Sequence, residues 1–229
     1  MKTAIITGAA GNLGQAVVKK FLSKGYHVIG TVIPDEPSIV QSHGQHFETA
    51  VVDLQNEELV QQFIDLLTEM HKKIDVAVLT VGGFTMGDIL ATKTADISRQ
   101  IKLNFETAYN MARPVFKQML EQGYGRIFLI GARPGSNMKN STGMVAYGLS
   151  KSLIFRLAEL MNEEAKDHDI VTSVVVPSTI DTPQNRLSMP KADFTKWVTP
   201  EAIADIIYFH TSLEGGILRE PVIKVYGGS

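Results

Sequence analysis

Short apolar runs alternate with stripes of apolar residues spaced three or four apart, from one end of the chain to the other. "AIIT" (4–7) is such a run, and glycines follow it. Leu13, Val17 and Phe21 then recur every fourth residue, which predicts an amphipathic helix that Gly25 closes. "HVIGTVI" (27–33) and "TAVVDL" (49–54) predict the second and third strands. Leu59, Phe63, Leu66 and Met70 mark the next helix face. "DVAVLTV" (75–81) is almost wholly apolar, as a parallel strand covered on both faces is. A long helical segment over 94–122 carries Ile97, Ile101, Phe105 and Ala108 on one side. "GRIFLIG" (125–131) is a fifth strand. Leu149, Leu153, Leu157 and Leu160 stripe the helix after it, and "IVTSVVV" (170–176) is a sixth strand stopped by Pro177. Thr199-Pro200 begins a helix with an N-cap and a proline at its first position, and "PVIKVYGG" (221–228) is the last strand.

Seven strands with helices between them predict an α/β chain. Its expected form is a Rossmann-type doubly wound parallel sheet in a three-layer αβα arrangement, one domain over 1–229. The long irregular stretch at about 181–198 follows the sixth strand. Ligands in such sheets bind beyond the carboxyl ends of the strands, so this stretch is a candidate substrate lid.

Composition narrows the chemistry. A net charge of −2 argues against a nucleic-acid surface. The absence of cysteine removes disulfides and thiolate sites. "MKTAIITGAAG" enters a strand at once without a signal-peptide apolar region, and no apolar run approaches ~18 residues, so the expectation is a cytoplasmic chain with no membrane partner. Six histidines lack i, i+4 pairing, and no metal site is expected.

The candidate chemistry begins at "TGAAGNLG". Gly8, Gly11 and Gly14 sit between the first strand and helix, with Asn12 and Leu13 among them. Such glycines permit a tight turn and close backbone approach to a pyrophosphate, which the helix N-terminus then holds. An acid at the end of the second strand usually binds the adenosine ribose. Here that position holds Val32 or Thr31, no lysine or arginine stands nearby, and Asp35 and Glu36 would oppose a 2′-phosphate. The cofactor reading is NAD(P)H with a lean to NADH. Asp53, followed by Leu54, either accepts from the adenine amino group or forms a turn. Tyr147 and Lys151, four apart on a helix, share a face. An ammonium near the phenol is expected to lower its pKa from ~10 and make it a better proton donor to an atom acquiring charge.

With the turn, "DL" (53–54), "TVGG" (80–83), "KLNF" (102–105), "YGLSK" (147–151) and "VPSTIDTP" (176–183), the chain resembles the short-chain dehydrogenase/reductase family along its whole length. The resemblance implies Tyr147 as proton donor, Lys151 as its partner and ribose ligand, and Asn104 as holder of a relay water. It also implies that Gly82 and Pro177 lie against the cofactor, that Thr182 meets the nicotinamide carboxamide, and that the chain forms a homodimer or homotetramer through its long helices. From the residues alone, Asn104 is also readable as a satisfied core amide. The family's middle turn glycine falls on Asn12, and its catalytic serine on Ala132.

Dihydropteridine reductases share both departures. They resemble this chain in "VGGF" (81–84), "GAR…TGMVAYGLSK" (131–151) and "DTPQNRLSMPKADFTKW" (181–197). The resemblance implies hydride reduction of a quinonoid dihydropterin or a similar flat conjugated imine, a small-molecule substrate. Phe84, Met189, Phe194 and Trp197 are then candidate walls for the ring, or else core and lid packing, and Arg186 a lid anchor. That branch's ribose-binding aspartate falls at Val32, and the stretch from Ala132 to Tyr147 is about two residues longer here. Ser136, Ser141 and Thr142 in it are read as ordinary loop residues. The alternatives are a reductase of another carbonyl or imine, and a dinucleotide-binding regulator without turnover.

Overall fold

The computed structural model describes residues 1–33, 46–139, 141–219 and 221–228. Seven strands form one sheet: β1 (Thr3–Thr7), β2 (His27–Val32), β3 (Phe47–Val51), β4 (Val76–Leu79), β5 (Tyr124–Ile130), β6 (Asp169–Pro177) and β7 (Val222–Val225). Their order is β3-β2-β1-β4-β5-β6-β7, and every pairing is parallel. Chain direction across the sheet therefore reverses between β1 and β4. A crevice opens at that switch point, beyond the carboxyl ends of the strands.

Each element has a local cause. Strands β1 and β4 are wholly buried, β4 reading Val-Ala-Val-Leu. Helix α1 (Asn12–Ser23) buries Leu13, Val17 and Phe21, and Gly25 beyond it takes φ +76°. Helix α2 (Glu57–His71) is capped by the Asn56 side chain, which accepts from the Glu58 and Leu59 N–H groups. Helix α3 (Thr94–Ile101) runs into a π-helical turn (Lys102–Glu106) and then α4 (Thr107–Gln122), which Gly123 ends at φ +76°. A short α5 (Arg133–Ser136) precedes α6 (Val145–Glu164). After β6 come α7 (Pro183–Ser188), a 3₁₀ turn (Phe194–Lys196) and α8 (Pro200–Phe209), whose N-cap Thr199 accepts from Ala202 N–H. Helices α2, α4 and α6 cover one face of the sheet, around Ile64, Met111, Ile127 and Ile154. Helices α1 and α8 cover the other, around Phe21, Val28, Phe128 and Ile207.

Four expectations are corrected. Strand β3 spans Phe47–Val51, so "VDL" is already the descent from the sheet. The α2 face inside is Val60, Ile64 and Leu67, whereas Leu59, Leu66 and Met70 are exposed. This helix carries two adjacent apolar stripes, and periodicity alone does not choose between them. On α6, Leu157 is buried and Leu153 half-buried, but Leu149 and Leu160 are exposed; Ile154, Phe155 and Met161 make the core contact. The 94–122 segment is one continuous rod only in outline, because the π turn inserts a fault at Asn104.

Candidate functional site

The turn after β1 is shaped by steric necessity. Gly8 has φ +61°, and a Cβ on Gly14 would lie 2.0 Å from the Gly8 carbonyl oxygen. Close packing of turn on helix therefore requires glycine at 14. Gly11 is the N-cap of α1 and brings no side chain to the helix N–H groups, and no acid stands in the first turn. Asn12 opens that turn and Leu13 is buried behind it. The result is a bare, positive helix end at the switch point, which fits an anionic pyrophosphate. Across the crevice, Thr80 Oγ1 donates to the Thr7 carbonyl at 2.6 Å and Thr80 N–H donates to Thr7 Oγ1 at 3.0 Å, locking the ends of β1 and β4 together.

The remaining predicted cofactor residues lie around this crevice or in its supports. Asp53 Oδ1 accepts from Gln55 N–H at 2.9 Å, which makes the turn-forming reading of Asp53 an observed contact. Leu54 is buried in the core. Pro177 ends β6, and Thr182 Oγ1 accepts from Asn185 N–H at 3.2 Å as the N-cap of α7. Asp35 and Glu36 lie outside the described residues.

Lys151, Asn104 and Gly82 converge, and Tyr147 stands one helical turn before Lys151. A Cβ on Gly82 would lie 2.6 Å from Asn104 Oδ1 and 3.2 Å from Lys151 Nζ, so glycine there is what lets the amide and the ammonium approach the β4 loop. Lys151 is buried and donates to the Ile130 carbonyl at 2.7 Å. Burial pulls its pKa down to about 8. Tyr147 is half-buried on the same helix, and burial pushes its phenol up to about 12. The expected lowering of the phenol by Lys151 is thus outweighed in this arrangement: desolvation disfavours the tyrosinate, and the ammonium is turned to Ile130. The phenol is held firmly protonated at neutral pH.

Asn104 is a buried amide whose contacts are all accounted for. Its Oδ1 accepts from Gly83 N–H at 2.8 Å, and its Nδ2 lies 3.0 Å from the Gly83 carbonyl, 2.9 Å from Gln100 Oε1 and 3.0 Å from Ser150 Oγ. Two N–H protons serve these three acceptors. The side chain therefore clamps the β4 loop to the π turn and to α6. Gln100 and Ser150 are clamp residues that sequence reasoning missed. Their available signals were the i−4 spacing of Gln100 from Asn104 and the place of Ser150 beside Lys151.

Phe84 supplies the site's aromatic edge. Its ring meets that of Tyr147 at 4.9 Å between centroids and 83°, edge to face, while the residue stays 57% exposed. The loop bearing it is pinned by Gly87 N–H to the Gly143 carbonyl (2.7 Å) and Val145 N–H to the Gly87 carbonyl (3.1 Å). Ala132, at the serine position, is buried at the end of β5. Ser136 donates to the Arg133 carbonyl at 3.2 Å, the contact of an ordinary turn residue.

The lid is closed on itself. Ile180 and Val198 form a bridge at its two ends, with Asp181 N–H donating to the Val198 carbonyl at 2.8 Å. Arg186 grips Asp181 through two hydrogen bonds of 2.6 and 2.7 Å, and its guanidinium lies over the Phe194 ring at 4.9 Å. Arg186 is thus an anchor within the lid. Phe194 and Trp197 pack together at 4.8 Å, and Met189 follows α7, partly exposed. Of the predicted substrate walls, the structure brings Phe84 to Tyr147; it places Met189 and Trp197 in the lid, with Trp197 packed on Phe194.

Comparison with known proteins bears on the whole chain. Residues 2–192 match the family model described as short chain dehydrogenase. The chain belongs to that family. An acetoacetyl-CoA reductase of Acinetobacter sp. (strain RA3849) is 26% identical to this short-chain dehydrogenase, over 99% of this chain and 97% of the relative. A dihydropteridine reductase of Dictyostelium discoideum is 27% identical, over 90% of this chain and 86% of the relative. Among solved structures, ElxO with NADP bound superposes with a TM-score of 0.90 at 24% identity, covering 99% and 98% of the two chains. The short-chain dehydrogenase fold is thereby established. The differing substrates of relatives at equal similarity leave this member's own substrate to its site.

Proposed function

We propose that the protein is an NAD(P)H-dependent reductase of a flat conjugated imine, with a quinonoid dihydropterin as the favoured substrate. The observation that carries the reading is the edge-to-face pair of Phe84 and Tyr147. It sets an aromatic wall directly beside the proton donor, in a chain that carries a buried, apolar Ala132 where a ketone reductase would carry a hydroxyl. A quinonoid pterin is already a polarised acceptor, so one proton donor suffices. The bound dinucleotide supplies a hydride to the substrate. Gly8, Gly11, Asn12, Leu13 and Gly14 would hold its pyrophosphate at the α1 N-terminus, Asp53 and Leu54 would serve its adenine, and Gly82, Pro177 and Thr182 its nicotinamide end. Tyr147 gives its phenolic proton to the substrate nitrogen that takes up negative charge. The tyrosinate left behind regains its proton from solvent; Lys151, which here donates to the Ile130 carbonyl, would turn from it to support that charge and the ribose hydroxyls. Asn104 positions the β4 loop against α6 so that Gly82 and Lys151 meet.

The lean to NADH rests on Val32 at the ribose position and on the absence of lysine or arginine between Thr31 and Glu36; a clear NADPH preference in kcat/KM would reverse it. The test of the substrate is NADH oxidation with quinonoid dihydropterin generated in situ, beside a panel of ketones and 3-oxoacyl thioesters. Pterin turnover well above the panel is expected. A second reading, reduction of an acyl-linked carbonyl, follows from the Acinetobacter relative, and turnover confined to the thioesters would establish it in place of the first. Tight cofactor binding with no turnover of any substrate would favour a regulator.

A further inference from the structure

The base of the sheet, at the amino ends of the strands and far from Tyr147, holds a cluster of side chains that the reaction does not use. His27 opens β2, Glu48 is the second residue of β3, and His71 is the last residue of α2. The ladder pairs Ile29 with Glu48, and His27 shares a strand face with Ile29 two residues on. Ile29 belongs to the core beneath α2, so His27 and Glu48 both project toward that helix, and His71 comes down on them from its end. The two imidazoles lie face to face at 4.7 Å between centroids, tilted by 32°. His27 Nε2 is 2.8 Å from Glu48 Oε1, and the donor atoms of all three residues lie within 4.8 Å of one another.

These contacts leave polar atoms unsatisfied. His71 Nε2 is buried without a hydrogen-bond partner, and His27 Nε2, buried as well, meets the Glu48 oxygen at 2.8 Å without forming a hydrogen bond to it. Two orphaned ring nitrogens facing one carboxylate are costly as they stand. One cation would satisfy all three groups together.

We infer that His27, Glu48 and His71 form a binding site for a divalent transition-metal ion of the Zn²⁺ class. Two imidazole nitrogens and one carboxylate oxygen suit such a borderline ion, with water completing a tetrahedron, and do not suit Mg²⁺ or Ca²⁺, which take oxygen ligands. A tetrahedral site with ligand bonds of 2.0–2.1 Å has donors about 3.3 Å apart, so rotation of the His71 and Glu48 side chains is enough to close the cluster. Glu48, whose side chain is 43% exposed, gives the ion an entry from solvent. The ion would tie the β2–β3 edge of the sheet to the end of α2, as a structural staple remote from the dinucleotide crevice. The sequence hid this site because its ligands come from three elements and share no short spacing.

The test uses the tag-free full chain, stripped with a chelator and titrated calorimetrically with ZnCl₂ and then with MgCl₂, alongside thermal unfolding. One Zn²⁺ per chain, a raised thermal midpoint and no comparable Mg²⁺ response are expected. His71→Ala and Glu48→Gln, at the helix end and on the open side of the cluster, should each weaken Zn²⁺ binding by roughly tenfold or more while circular dichroism and dinucleotide affinity stay as in the wild type. Binding below one ion per chain would overturn the site. So would an affinity unchanged in both variants, which would place the ion elsewhere, for instance on exposed His46.

Discussion

The dinucleotide crevice and the lid are built in opposite ways. In the crevice, each functional side chain is tied to backbone or to other buried groups: Lys151 to the Ile130 carbonyl, Asn104 to Gly83, Thr80 to Thr7. The lid ties itself to itself, through Arg186 to Asp181, Phe194 to Trp197 and the Ile180–Val198 bridge that joins its two ends. The difference teaches how one family keeps its chemistry while changing its substrate. Parts that hold the proton and the cofactor are over-determined by the core, whereas the part that meets the substrate can be rebuilt without disturbing them. Variants in the crevice should therefore lower kcat, and variants in the lid should raise KM.

The sharpest test of that division is Tyr147→Phe. The ring, and its edge-to-face contact with Phe84, remain, and only the proton is lost. Turnover is expected to fall by roughly 10²–10⁴ with the dinucleotide dissociation constant changed by less than about twofold. Stopped-flow turnover beside fluorescence titration reads both. Unchanged turnover would mean the proton comes from another group and that the crevice has been misassigned.

Lys151→Met probes the same region through stability as well as rate. The Lys151 pKa of about 8 lies below its ordinary 10.5, so the unfolded chain binds more protons between those two pH values. Stability of the wild type should then rise with pH from about 8 to about 10; above that the unfolded tyrosine ionises at its ordinary 10.0 while Tyr147 in the folded chain waits until about 12, which turns the trend downward. The methionine variant should unfold at higher temperature than the wild type near pH 7 and lose that pH-dependent rise, while its turnover collapses. In the wild type, kcat/KM should decline as pH climbs past about 8, because a neutral amine no longer supports the tyrosinate. Thermal melts and rate profiles across pH 6–10 check both; a less stable variant would show that the Ile130 hydrogen bond outweighs the cost of burial.

This contrast also separates what was legible in the sequence from what was not. The succession of seven strands, the glycine turn and the Tyr147–Lys151 pair follow from local signals: β-branched runs, glycines that admit no Cβ, and one helical spacing. Gly14 is an example, since a Cβ there would meet the Gly8 oxygen. Illegible were features set by tertiary contact. Val60 rather than Leu59 faces the core because of how α2 docks on the sheet. Asn104 is a clamp because the π turn aims it at Gly83. The phenol rises instead of falling because burial disfavours the tyrosinate, while Lys151 is held by a carbonyl. His27, Glu48 and His71 meet only because a strand register and a helix end coincide.

The smallest expected effect lies in the lid, with Arg186→Ala. It removes the two-pronged grip on Asp181 and the cover over Phe194, but touches nothing that holds Tyr147 or Lys151. The guanidinium also keeps the Asp181 carboxyl below the usual carboxylate range, so the grip persists at neutral pH and loosens only on strong acidification, as that carboxyl takes up its proton. Half-exposed ion pairs contribute little to global stability, and thermal unfolding should scarcely move. A looser lid spends more of the substrate's binding energy on ordering itself. KM for the pterin should rise by roughly two- to fivefold with kcat nearly constant. Steady-state kinetics over a range of substrate concentrations distinguishes the two parameters. A fall in kcat approaching that of Tyr147→Phe would mean that the lid orders the proton donor, and the separation of chemistry from recognition would not hold for this protein.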